Sequence, residues 1–172
     1  VVSSRDARRT TSAAARAGEG LDDMPPPDEL SSTDRAEAEN AGILAMFGEN
    51  TTRCIYSQAW VLRRAGIEAA AAAVPARVAE GGGRLVVLAS TRLLKRAADD
   101  RMIQVFLSSM QLLGALLDVP LGELASRSDL LSDFSGLLAA WRAKLAAGNV
   151  RVREAAASAL LGAAGCPPTG LP

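Results

Sequence analysis

The sequence contains no histidine, and only 3% of its residues are aromatic. The lack of histidine removes the commonest general base and the commonest metal ligand in proteins. The candidate catalytic carboxylates Glu68, Glu80 and Asp118 are scattered along the chain and belong to no recognisable constellation. We therefore expect a protein that is not an enzyme and that needs no cofactor and no metal ion.

No sign of charge dominates, because 19 Lys and Arg residues balance 19 Asp and Glu residues. Nothing in the overall charge therefore draws the chain to nucleic acid or to a membrane surface. No apolar run reaches the roughly 18 residues of a membrane span, and no signal peptide opens the sequence. The two cysteines, Cys54 and Cys166, are far apart, which favours reduced thiols in a cytoplasmic protein.

The apolar residues that are present are mostly Ala and Leu, which favours closely packed helices over a β-sheet. Residues 1–30 are rich in Ser, Ala, Arg, Gly and Pro, and we predict a disordered linker there. The sequence starts at Val1 rather than at Met, so we expect a fragment of a longer protein.

Helix start and stop signals divide the remainder into a capping segment and three helix pairs. Ser31 and Asp34 fit a capping box that opens an N-terminal capping segment over residues 31–48. Pro75 is predicted to end the second helix of the first pair, because proline disfavours helix at the residue before it. The predicted helices cover about 49–57 and 60–73, then 84–97 and 101–117, then 128–145 and 150–164. Asn149 is predicted to cap the last helix, and Trp141, on the apolar face of the helix over 128–145, is predicted to lie in the core.

The turns within the three pairs, at residues 57–60, 98–100 and 148–149, recur at roughly the 40- to 47-residue period of two-helix HEAT repeats. The helix over 101–117 is apolar on most of its circumference, so it must be covered on several sides. We predict an all-α fold, an α-solenoid of about three HEAT-like helix pairs over residues 49–165, with a disordered tail at 166–172.

Short patterns in this array resemble those of a known family. Residues 60–67, with the sequence WVLRRAGI, resemble the first-repeat signature of the TOG domain, a specialised HEAT array. Residues 149–156, with the sequence NVRVREAA, resemble a later turn of the same domain. The segments FGE at 47–49, RCIYS at 53–57 and VFLSSMQLL at 105–113 are similar to the TOG domain of the family of the ciliary-tip centrosomal protein of 104 kDa. The resemblance covers about residues 26–164.

The resemblance implies a non-enzymatic module whose intra-repeat turns bind αβ-tubulin or microtubules along one edge. It also implies a place in the cytoskeleton at the tips of cilia or flagella, or at centrioles, beside other ciliary-tip or centriolar proteins. TOG domains have six repeats, so three pairs would make a partial TOG domain. By position, the tubulin-binding residues would be Trp60, Arg63, Asp99, Asp100, Arg101, Asn149 and Arg151.

Alternatives remain open for two of these residues and for the whole function. Trp60 stands on a turn, where it either packs within its own domain or waits for a partner. Arg63 either contacts a partner or braces neighbouring turns through hydrogen bonds. The alternative function is a generic HEAT-repeat scaffold that binds a partner helix or peptide on its helices rather than on its turns.

Overall fold

The computed structural model describes residues 26–166, so the predicted linker up to residue 25 and the tail beyond residue 166 lie outside the described residues. Within this range the chain forms eight α-helices and no strand, which confirms the predicted all-α solenoid. The helices are α1 Ser32–Asn40, α2 Ile43–Tyr56, α3 Trp60–Ala79, α4 Gly83–Asp99, α5 Ile103–Leu117, α6 Leu121–Leu124, α7 Arg127–Lys144 and α8 Val150–Gly165.

The three predicted pairs are α2 with α3, α4 with α5, and α7 with α8, and they stack into two layers. One layer contains α2, α4 and α7, and the other contains α3, α5 and α8. The apolar helix α5 contacts α3, α4 and α8, as its hydrophobic circumference predicted. Leu112, Leu116 and Phe106 of α5 are almost completely buried, and Trp141 of α7 is fully buried, so these side chains form the core between the layers.

Helices of the same layer run in the same direction. Gly42, just before α2, lies against Leu85 near the start of α4, while Tyr56 at the end of α2 lies under Arg96 near the end of α4. At the other side of α4, the guanidinium of Arg84 pairs with carboxylates in the first half of α7. Because the layers are parallel within themselves, the turns inside the three pairs emerge at one edge of the solenoid.

The prediction that the helix beginning at Trp60 ends before Pro75 is wrong, because α3 continues to Ala79. A proline inside a helix costs about 3 kcal/mol, since it lacks an N–H and crowds an earlier carbonyl. Val74 is fully buried and Val78 packs against the core, so apolar burial on both sides of the proline offsets this cost.

The predicted boundary between the capping segment and the first pair, near residue 49, coincides with a break inside α2. Gly48 interrupts α2 with a φ of 79° and a ψ of 167°, a conformation that glycine adopts without steric penalty. Ile43, Met46 and Phe47 are buried before this kink and join the core directly.

Smaller differences concern the second and third pairs. The turn of the second pair lies at residues 100–102 rather than 98–100, since α4 includes Asp99. The short helix α6 was not predicted, and α7 begins one residue earlier than predicted, at Arg127. None of the helices between residues 26 and 166 combines the length and apolarity that a bilayer crossing requires.

The close contact between α2 and α3 depends on Gly66. A Cβ atom at this position would lie 2.8 Å from the backbone nitrogen of Ile55 and 3.0 Å from Cβ of Cys54. These distances are too short for a side chain, so any residue larger than glycine must push the two helices apart.

We expect Gly66→Ala to lower the free energy of unfolding by about 1–3 kcal/mol, because overpacking outweighs the gain in helix propensity. Gly114→Ala is the matched control, since nothing lies within 4 Å of a Cβ atom added there in α5. This control should be neutral or stabilise the protein by up to about 1 kcal/mol. Urea unfolding of both variants measures the difference, and equal stabilities would show that α2 and α3 are not packed as described.

Candidate interaction edge

Three turns lie side by side, and we call them the turn edge. Each is counted up to the first residue of the helix that follows, so the turns cover residues 57–60, 100–103 and 145–150. The first two are joined by an ion pair between Arg63 and Asp100, which are 37 residues apart in sequence. The second and third are joined where the ammonium group of Lys144, at the end of α7, lies 5.6 Å from the ring centre of Phe106 near the start of α5. The turns therefore form a continuous edge.

An apolar residue occupies the same position on each turn, namely the first residue of the helix that follows. This residue is Trp60 in α3, Ile103 in α5 and Val150 in α8. Trp60 is half-buried and packs against the core, whereas Ile103 and Val150 are 39% and 53% exposed. The turn edge thus presents apolar side chains at regular intervals to any partner that meets it.

Sequence reasoning selected Trp60 but missed Ile103 and Val150. Their shared position could have identified them from the sequence, because each of the three residues directly follows the N-cap residue of the second helix in its pair. These N-cap residues are Ala59, Met102 and Asn149.

Arg63 braces the turns, which is the alternative noted from the sequence. Within its own turn it donates hydrogen bonds to the backbone oxygens of Ser57 at 3.0 Å and Gln58 at 2.8 Å. Towards the second turn it donates two hydrogen bonds to the carboxylate of Asp100, at 2.7 and 3.0 Å. The side chains of Arg63 and Asp100 are only 18% and 11% exposed, so both hold the turn edge in shape.

Arg153 repeats half of this arrangement in the third turn. It is the fourth residue of α8, as Arg63 is the fourth residue of α3, and it donates to the backbone oxygens of Ala147 at 2.8 Å and Gly148 at 3.0 Å. The sequence analysis quoted Arg153 within a motif without giving it a role. Arg153 follows the N-cap residue Asn149 at the same spacing at which Arg63 follows the N-cap residue Ala59. This equal spacing could have identified the role of Arg153 from the sequence.

Asp100 also fixes the approach to α5, because its carboxylate accepts a hydrogen bond at 2.8 Å from the backbone N–H of Met102, the residue just before that helix. Burial by itself raises the pKa of Asp100, but the hydrogen bonds from Arg63 and Met102 together with the positive charge of Arg63 outweigh it. The pKa of Asp100 therefore lies below its ordinary value, and its carboxylate is stabilised in the charged form.

The remaining predicted residues differ in how accessible they are. Asn149 caps α8 as predicted, with its side-chain oxygen accepting from the N–H groups of Arg151 and Val152. Arg101 and Arg151 are exposed on the turn edge, and Asp99 is exposed as the last residue of α4. Charged side chains available to a partner thus come from Arg101, Arg151 and Asp99.

A groove of about 1140 Å³ opens beside the first two turns, between α1 and the second half of α4. On its floor, the guanidinium of Arg96 stacks 3.9 Å from the ring centre of Tyr56 and donates to Glu37 at 2.7 Å. The Tyr56 hydroxyl donates to the same carboxylate at 3.2 Å, and burial raises the pKa of Tyr56 to about 12. Trp60 and Arg92 line the groove walls.

Among the described residues, no group of three or more Cys, Asp and Glu side chains is arranged to hold a metal ion. Cys54 is fully buried between α2 and α3, and this burial raises the pKa of its thiol. A buried neutral thiol is a small apolar side chain, so Cys54 contributes to packing.

Two layers of HEAT-like helix pairs with the intra-pair turns along one edge define the architecture of a TOG domain. The structure is similar to that of the TOG domain of human Cep104, with a TM-score of 0.67 and 20% sequence identity over 82% of this chain. It is also similar to a second structure of the CEP104 TOG domain, with a TM-score of 0.66 and 24% identity over 80% of this chain. Both comparisons confirm, at the level of the fold, the resemblance first noted in the sequence.

The matched region covers 55% of each of those TOG-domain chains, so this chain corresponds to about half of their length. No protein-family model and no curated protein matches the sequence.

We expect Asp100→Asn to lower the free energy of unfolding by about 1–3 kcal/mol, because it removes the charge from two hydrogen bonds with Arg63. Asp99→Asn is the control, since Asp99 is exposed and forms no ion pair with the other described residues. Urea unfolding at neutral pH compares the two variants with the wild type.

The effect of Asp100→Asn should depend on pH. Because folding lowers the pKa of Asp100, its contribution to stability is present above its unfolded-state pKa of about 3.9 and is lost as the pH falls through the folded-state value. The difference in the free energy of unfolding between the wild type and Asp100→Asn should therefore become smaller below about pH 4. A gap that stayed constant down to pH 2 would contradict the assigned ion pair.

Proposed function

We propose that this chain is a non-enzymatic, tubulin-binding module that holds αβ-tubulin or a microtubule end along its turn edge. The observation that carries the proposal is the repeated apolar residue on neighbouring turns: Trp60, Ile103 and Val150. Large or branched apolar side chains at regular positions on a rigid edge suit a protein interface, where a few buried anchors supply most of the binding energy.

The predicted site residues have two different roles in this proposal. Trp60, Arg101 and Arg151, with Ile103 and Val150 added, contact the partner. Arg63, Asp100 and Asn149 keep the turns in place, because their polar groups are already occupied within the turns. Asp99 is exposed beside Arg101, and its negative charge disfavours an acidic group of the partner at that point. Asp99 therefore affects which part of the partner can lie there more than how tightly the partner binds.

The similarity to the Cep104 TOG domain supports a cytoskeletal place of action, and we propose the tips of ciliary or flagellar microtubules or the centrioles. There the module would hold tubulin while other ciliary-tip or centriolar proteins act on the same microtubule end. The three turns between residues 26 and 166 offer fewer contacts than a longer array would, which supports weaker tubulin binding by these turns alone.

A generic HEAT scaffold that binds a helix or peptide is the second candidate. It is favoured by Leu161, which is 73% exposed on α8, and by Leu131, which is 38% exposed on α7. Leu85, 36% exposed near the start of α4, also lies away from the turn edge. The other four large exposed apolar residues lie on or beside the turn edge, namely Val61, Ile103, Leu145 and Val150. The positions of the large exposed apolar residues therefore favour the turn edge, rather than the faces of the helices, as the binding surface.

Ile103→Asp combined with Val150→Asp should weaken tubulin binding at least about tenfold, a loss of about 1.4 kcal/mol. Both side chains are exposed, and an aspartate in the first turn of a helix is well tolerated, so the fold should persist. Trp60→Ala should weaken binding in the same direction. Gel filtration with αβ-tubulin measures the effect, and circular dichroism verifies the fold.

The matched control is Leu131→Asp combined with Leu161→Asp, which makes the same chemical change on exposed apolar residues outside the turn edge. This control should bind tubulin as the wild type does. If the control lost tubulin binding while the turn-edge variant kept it, the interface would lie on the helices and the proposal would be wrong.

A further inference from the structure

We propose that the groove between α1 and α4 is a second binding site, which takes an extended peptide rich in carboxylate side chains. The groove is lined at one end by residues of the first two turns, among them Trp60 and Arg101, and extends from the turn edge along the face formed by α1 and α4. The anchors Ile103 and Val150 do not line it, so this inference does not rest on tubulin binding.

The groove has an excess of positive charge once its internal ion pairs are set aside. Arg63 is paired with Asp100, and Arg96 is paired with Glu37. Three further cations line the groove, are exposed, and form no ion pair with any residue between 26 and 166: Arg92, Lys95 and Arg101. Asp99 is the one carboxylate of the lining that remains to oppose them.

The excess positive charge can bind several carboxylates along one peptide, because the three cations lie one after another along the groove wall. Arg92 and Lys95 lie on the second half of α4, where the end of the Lys95 side chain also lies near Gly136 of α7, and Arg101 lies in the turn that follows. Because these cations are exposed, their ionic bonds to carboxylates would be sensitive to added salt.

The other lining groups suit a polypeptide. The exposed amides of Asn40 and Gln58 can donate to and accept from a peptide backbone. Trp60 and Met102, which are partly buried, offer apolar surface for one side chain of the peptide. A groove with separate polar and apolar contacts is typical of peptide recognition.

A nucleic acid fits this groove less well than a peptide does. The carboxylate of Asp99, the one unpaired acid of the lining, would repel a backbone with a charge at every nucleotide. A peptide can place its carboxylates beside the cations and a neutral residue beside Asp99. The chain also has no net charge to attract a polyanion from a distance.

The test uses a fluorescein-labelled peptide of glutamate and alanine residues with one central leucine, and its binding is followed by fluorescence anisotropy. Arg92→Glu combined with Lys95→Glu should weaken binding at least about tenfold, and added salt should weaken binding to the wild type. A peptide of the same length with glutamine in place of glutamate should bind much more weakly than the glutamate peptide.

Arg77→Glu combined with Arg142→Glu is the matched control, because it changes the net charge equally at residues outside the groove. This control should keep peptide binding, and so should the turn-edge variant Ile103→Asp with Val150→Asp. Equal loss in the groove and control variants, or equal binding of the glutamine peptide, would overturn the proposal. Tighter binding of a single-stranded oligonucleotide than of the glutamate peptide would also overturn it.

The two proposals fail separately. Loss of tubulin binding in the turn-edge variant with peptide binding intact supports both sites, and peptide binding that survives reversal of Arg92 and Lys95 removes only the groove site.

Discussion

The relative position of the first two turns depends on one guanidinium group. Arg63 divides its donors between the carbonyl oxygens of its own turn and the carboxylate of Asp100 in the next turn. Arginine suits this role because its planar fork of donors can bind two acceptor groups in fixed geometry, which lysine cannot do. Since Asp100 also accepts a hydrogen bond from the backbone N–H of Met102, the same carboxylate links Arg63 to the residue that immediately precedes Ile103 and α5.

The second turn is braced by an arginine of the first turn, because the helix that follows the second turn has no arginine at its fourth residue. The fourth helical residue is Arg63 in α3 and Arg153 in α8, but it is Phe106 in α5. Phe106 is almost completely buried and fills the core between the layers. The middle helix is covered on several sides, so this position must be apolar, and the brace for its turn has to come from a neighbour.

Features that depend on residues close together in the sequence could be predicted, whereas features that depend on distant residues could not. The capping role of Asn149 and the burial of Trp141 depend on residues within one or two helical turns, and the sequence predicted both. The continuation of α3 past Pro75 depends on burial against other helices, which a local rule for proline does not contain. Arg63 was open between two roles because its acceptor is 37 residues away, and only the tertiary fold brings the two together.

Electrostatic attraction at the turn edge must come from side chains rather than from helix dipoles. The N-termini of α3, α5 and α8 lie at this edge, but the C-termini of α2, α4 and α7 lie beside them, so the dipoles offset one another. Helix N-termini alone therefore do not make this edge positive. Arg101 and Arg151 on the edge, and Arg92 and Lys95 in the adjoining groove, remain as the exposed charges that can attract an acidic partner.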